Sequence, residues 1–283
     1  MAGMKGLDRT IIYWGVAFSI VIPLLWPIGF STEVTSQVRD IHRFIEQMPE
    51  SSAVLMSFDY EPATIAELDP MAAAFLKHLF QRRARVMGMT LLPGGVGLAE
   101  NLLRQEAAIA GMEYGRNWLF LGYIPDGTAA MLRMGEDVAM VFPTDQYGTA
   151  LDSFPMMRGV KSYRNMGLVI CLSSTAMPQL WAQYAHDRYG AAVAVGATAV
   201  EAVRLYPYHD SGQLVGFLGG LKGAAEYETL IQTPGDGIRG MDAQTISHLF
   251  IVMMVVLGNI GYAATKWRGR AGASTGRNHA PVA

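Results

Sequence analysis

Asp59 and Glu61 are the residues whose types and spacing are best suited to chemistry. They close the run 54–60, Val-Leu-Met-Ser-Phe-Asp-Tyr, with Pro62 directly beyond. A carboxylate pair can hold a cation or divide acid and base roles between its members. On an extended strand, side chains two apart point to one side and would converge, whereas in a turn they need not. The same two acids can equally form a turn and face water. Asp126, His209 and Asp210 stand in loops near other strand-like runs and could share a rim with Asp59.

A second candidate is the stretch Pro93-Gly94-Gly95-Val96-Gly97, between a strand-like run at 85–92 and a helical one at 98–110. Strand, glycine turn and helix is the layout that cradles phosphate on backbone N–H groups. Gly94 and Gly95 are the ligand candidates there. The spacing matches neither dinucleotide nor nucleotide-triphosphate fingerprints, and glycines also permit a sharp turn with no ligand. Other signals are missing. There is no G-x-S-x-G elbow, and the histidines at 42, 78, 186, 209 and 248 form no H-x-H or H-E-x-x-H pair, so the spacing supports no metal site and implies no cofactor. Cys171 is the one cysteine, set in an apolar run, and reads as a small buried hydrophobe rather than a nucleophile. The Arg82, Arg83 and Arg85 cluster reads as a solvated basic edge.

These residues need a scaffold. Apolar runs at 54–58, 85–92, 117–124, 166–172 and 191–196 alternate with helical patterns near 70–83, 98–110, 129–134 and 177–188. Unbroken apolar runs suit strands buried on both faces. Strands alternating with helices predict an α/β fold, a doubly wound, mostly parallel sheet of Rossmann-like type. In such sheets, ligands collect at the carboxyl ends of the strands. A helix at 31–48, capped by Ser31 or Thr32, leads into the first strand. Asp69-Pro70 opens the next helix, a short strand is expected at 138–142, and 143–164 shows no clear period.

After the fifth strand, Ser211 could cap a helix over 212–231. Gly212, Gly216, Gly219, Gly220 and Gly223 would then lie on one face. Each glycine in a helix costs about 1 kcal/mol relative to alanine, so a stripe of five implies close approach of another backbone. The partner could lie within the domain, across a subunit boundary, or among lipid headgroups.

Composition explains what surrounds this domain. The chain of 283 residues is 51% hydrophobic and 16% charged, more apolar than an ordinary soluble protein. A net charge of −2 gives no basic face for nucleic acid. Residues 11–30 carry no charge and are long enough to cross a bilayer. Lys5 and Arg9 precede this run; a cleaved signal peptide is the alternative to an anchor. Residues 246–264 form a second apolar run, with Asn259 between Gly258 and Gly261 suggesting a helix–helix contact to the first span or another subunit. Lys266, Arg268, Arg270 and Arg277 follow it. Positive flanks stay cytoplasmic, so both termini are expected inside the cell membrane. The expected layout is a cytoplasmic N-terminus (1–10), a span (11–30), an extracytoplasmic α/β domain (31–245), a span (246–264) and a basic cytoplasmic tail (265–283).

Two stretches strengthen that layout: Phe58-Asp59-Tyr60-Glu61-Pro62-Ala63 with Glu67-Leu68-Asp69-Pro70, and residues 208–213 running into Gly219-Gly220-Leu221-Lys222-Gly223-Ala224-Ala225-Glu226-Tyr227-Glu228. With the flanking spans, they resemble a group of uncharacterised bacterial membrane-anchored α/β proteins. The resemblance covers most of the chain and implies the anchor–domain–anchor order, but no activity or site residue. The expectation is therefore a non-catalytic interaction or assembly subunit, with the bilayer and other membrane subunits or a second copy as partners. The alternatives are a small-molecule-binding or sensory domain, or a hydrolase or transferase using the strand-end carboxylates.

Overall fold

The unbroken apolar runs become the strands of one all-parallel sheet in a computed structural model, which describes residues 9–30 and 33–275. The order along the chain is α1 (Arg9–Leu25), α2 (Ser36–Gln47), β1 (Ala53–Asp59), α3 (Ile65–Gln81), β2 (Arg85–Thr90), α4 (Val96–Ile109), β3 (Trp118–Tyr123), α5 (Gly127–Met134), β4 (Leu168–Ser173), α6 (Met177–Trp181), β5 (Val193–Ala197), α7 (Ala199–Ala202), α8 (Tyr206–Asp210), β6 (Gly216–Gly219), α9 (Gly220–Leu230) and α10 (Asp236–Thr275). The strands pair in the order β3-β2-β1-β4-β5-β6, which is the doubly wound arrangement. The order reverses between β1 and β4, whose register pairs Asp59 with Ser173.

Two apolar cores follow from the pleat. Val54, Met56 and Phe58 face one side, where α2, α3, α4 and α9 supply Ile41, Phe75, Leu103 and Tyr227. Ala53 and Leu55 face the other, where Met131, Trp181 and Leu205 close the layer. Right-handed crossovers require this division, because the connections on the two sides of β1 run in opposite directions.

Residues Phe30–Ile238 form one compact unit, and the described residues of Met1–Gly29 and Arg239–Ala283 form another. α10 is continuous for 40 residues and contains the expected run 246–264. Its stretch Asp236–Ala264 is long and apolar enough to cross a membrane. α1 has 17 helical residues with Pro23 inside, and residues 26–30 leave the helix. A Cβ at Gly15 would lie 2.3 Å from Phe250 Cζ, so the two helices meet where glycine leaves room for a ring. Asp242 Oδ2 accepts from the N–H groups of Ile28 and Gly29, both at 2.7 Å. Asn259 is not at this contact. It is exposed, and Gly258 beside it faces open space.

Several expectations are corrected. The 212–231 helix does not exist: Gly216–Gly219 is the edge strand β6, and the helix begins only at Gly220. The five glycines therefore share no helical face. Gly212 takes positive φ in a turn and Gly220 at the first residue of α9, Gly216 abuts the Gln37 carbonyl, Gly219 abuts Ala202, and Gly223 packs on Leu218. α3 starts at Ile65, ahead of Asp69-Pro70, because a 3₁₀ turn at Pro62–Thr64 nucleates it. Asp69 instead accepts a 2.6 Å bond from the Tyr60 hydroxyl. Residues Val138–Met140 form a 3₁₀ turn rather than a strand. α6 stops at Trp181 and widens into a π-helical turn, Ala182–Asp187. The helix before β1 starts at Ser36. The proposed caps Ser31 and Thr32, the flanking Lys5 and the tail residue Arg277 lie outside the described residues.

Candidate functional site

The carboxyl edge of the sheet is where chemistry is expected, and Asp59 ends β1 at that edge beside the reversal point. Its side chain turns inward and has no exposed surface. Oδ1 accepts from the Leu91 N–H at 2.8 Å, and Oδ2 accepts from the Ser57 hydroxyl at 2.8 Å and from the Trp181 indole N–H at 3.4 Å. The Cys171 thiol lies 3.8 Å from Oδ2. Burial raises the Asp59 pKa to about 6, opposed by the donors that favour the charged form. Burial also pushes the Cys171 thiol well up, which disfavours its thiolate form. The carboxyl joins β1 to the loop after β2 and cannot reach a substrate without displacing Leu91 or Trp181.

Glu61 is exposed, beyond the end of β1, so the two acids do not form a solvent-facing pair. It lies over Gly94, where a Cβ would come within 3.1 Å of Oε1. Gly95 is packed tighter still: a Cβ there would lie 2.7 Å from both the Phe58 carbonyl oxygen and Thr90 Oγ1. The glycine loop thus closes against β1 rather than opening toward a phosphate, and an acid stands over it. Asp126 takes positive φ and caps α5 by accepting from Ala129 N–H, while Gly127 next to it contacts Leu91. Asp59, Glu61, Gly94, Gly95 and Asp126 therefore neighbour one another through the three loops that follow β1, β2 and β3. His209 and Asp210 do not join them. They end α8, which leads back toward the amino end of β6, and His209 Nε2 sits 3.3 Å from Asp40 on α2.

A cavity of about 250 Å³ opens farther along the carboxyl edge, at the end of β6. Phe217 and Ala202 line its apolar part; Thr35, Lys222 and Glu226 supply the polar part. Glu226 is almost wholly buried, with Oε2 accepting from both the N–H and the hydroxyl of Thr35 at 2.9 and 2.7 Å. Lys222 Nζ stands 2.6 Å from Oε1 and is half-exposed. The volume suits a ligand well below nucleotide size. Sequence reasoning missed this group because it merged β6 and α9. The local signal was there in Lys222 and Glu226, an i,i+4 pair on one helix face.

Within the irregular stretch 143–164, the buried Asp145 organises the turn at 145–149. Its Oδ1 accepts from the N–H groups of Tyr147 and Thr149, and its Oδ2 from the Tyr114 hydroxyl. One set of metal-capable donors comes together among the described residues: His42, Glu46 and His78. It lies between α2 and the last turns of α3, toward the amino edge of the sheet. Burial lowers the pKa of both imidazoles.

No protein-family model matches the chain. No curated protein matches it either.

Proposed function

We propose that this chain is a membrane-anchored α/β module that works by assembling with membrane partners, not by catalysis. The observation that carries this reading is the apolar surface of α10. Leu249, Val252, Val256 and Ile260 are all exposed, and a soluble monomer rarely leaves so long an apolar helix uncovered. Lipid and neighbouring helices are its natural cover. α1 is the second anchor in this reading, with Gly15 admitting Phe250. The Arg9 and Lys266 flanks then favour cytoplasmic termini and an extracytoplasmic domain. Asn259, exposed on α10, is the polar contact left for a partner helix. The internal bonding of Asp59 counts against the hydrolase or transferase alternative.

Extraction in a mild detergent and mass measurement of the particle test the proposal. The expected result is an alkali-resistant membrane fraction that yields a complex larger than one chain. A monodisperse monomer without a copurifying subunit would sink the assembly reading. The second reading, a sensory domain, is supported by the cavity of about 250 Å³ at Lys222. Thermal-shift screening with small organic acids and amines would separate the two, and a Lys222→Met variant should abolish any hit.

A further inference from the structure

His42 and Glu46 are four residues apart on α2, so they project from one face of the helix. His78 reaches the same point from α3, and one ligand atom of each of the three lies within 4.8 Å of the others. The three differ in freedom. His78 is buried and held at both nitrogens: Nδ1 lies 2.7 Å from the Tyr227 hydroxyl and Nε2 lies 2.8 Å from Glu46 Oε1. The His42 ring stacks on His78 with centroids 4.9 Å apart. Glu46 is the most exposed, and Arg82 lies 3.8 Å from its other oxygen, leaving Oε1 toward the histidines.

We propose that His42, Glu46 and His78 form a binding site for one divalent transition-metal ion of the zinc class, joining α2 to α3. Two imidazoles and one carboxylate are a donor set that zinc accepts, with a water completing four-coordination. Magnesium and calcium demand oxygen ligands and are excluded by the two nitrogens. Tyr227 supplies the outer support that ligating histidines require. With the proton on Nδ1 and donated to Tyr227, the Nε2 lone pair points at Glu46 Oε1 and His42. Metal–nitrogen and metal–oxygen bonds of about 2.0–2.2 Å need donors closer together than 4.8 Å. The half-buried His42 and the exposed Glu46 side chains supply that movement, while His78 stays fixed. The ion would tie the first helix of the domain to its central crossover helix.

The test uses the full-length, untagged protein in detergent, stripped with a chelator and titrated calorimetrically with zinc chloride. One equivalent should bind, magnesium chloride should give no heat, and the unfolding midpoint should rise on zinc addition. His42→Ala and Glu46→Gln, both near the surface and expected to fold, should each weaken zinc binding by about tenfold or more. Tyr227→Phe should weaken it by about tenfold without removing a ligand. His248→Ala, on α10, should bind as wild type. Cobalt(II) should give the strong visible absorption of a four-coordinate site, absent from the His42→Ala/Glu46→Gln double variant. The proposal is overturned if wild-type protein binds no zinc, or if the double variant binds it as tightly while keeping its circular dichroism.

Discussion

Burial raises the Asp59 pKa from its ordinary 3.8 to about 6, and this makes the domain's stability depend on pH in a defined direction. Between those values, the folded state holds a proton that the unfolded chain has released. Stability therefore falls as pH rises from about 4 to about 6 and then levels off. The difference corresponds to about 3 kcal/mol. Asn at this position does not titrate, so Asp59→Asn should flatten that part of the profile. The variant meets a new conflict, because its amide nitrogen would face the Trp181 indole N–H. Denaturant unfolding of both proteins at pH 4.5 and 7 checks this: the wild-type minus variant difference should shrink toward pH 7. An unchanged difference would mean that Asp59 is ionised throughout. The position of Asp59 was legible in the sequence, since an apolar run ending in acid marks a strand end. Its inward orientation was not, because Leu91 and Trp181 are brought to it only by tertiary packing. The same holds for the metal-capable donors: the i,i+4 pair on α2 is local, while His78 arrives from another helix.

Glycines decide several contacts between elements, and the space around each separates close packing from mere tolerance. A Cβ at Gly95 would collide with two carbonyls and a hydroxyl, so Gly95→Ala must push the start of α4 off β1 and should lose about 1–3 kcal/mol. At Gly97, two residues on and inside α4, an added Cβ would point into open space. Gly97→Ala should gain about 0.5–1 kcal/mol from helix propensity alone. Thermal or denaturant midpoints of the two variants should move in opposite directions; equal shifts would defeat the packing account. This contrast also explains how the segment at 212–231 was misread. Glycines recurring at helical spacing imitate a helix face. Here they serve a strand crossed by α2 (Gly216 against Gln37), a turn, the start of α9, and the packing of α9 on β6. A four-residue strand running straight into a helix leaves too short a pattern for periodicity to divide. The five longer strands had apolar runs of full length, and the doubly wound class followed from their alternation with helices.

At the scale of the whole molecule, Glu228 sets where the α/β unit ends. Its buried carboxylate accepts from the N–H groups of Gly235, Gly237 and Ile238 at 2.8–2.9 Å, capping the amino end of α10. Burial raises its pKa, and those three donors offset part of the rise. A fragment covering 30–238 should unfold in a single cooperative transition. One stopping at 231 removes all three donors and should be weaker by about 3 kcal/mol or more, since a buried carboxylate is then left without partners. Urea titration of the two fragments compares them directly, and equal midpoints would show that the cap contributes nothing.

The strand order also dictates a sequence in time. β2 can pair with β1, and β3 with β2, as soon as they leave the ribosome, but the other side of β1 waits for β4. From residue 59 until residue 168 has emerged, the nascent chain carries an apolar central strand with one row of N–H and C=O groups open. Such an edge invites pairing with a neighbouring chain. A ribosome stalled within the 143–164 loop would display that edge, and a holdase that covers β1 during those residues would guard synthesis at its most exposed interval.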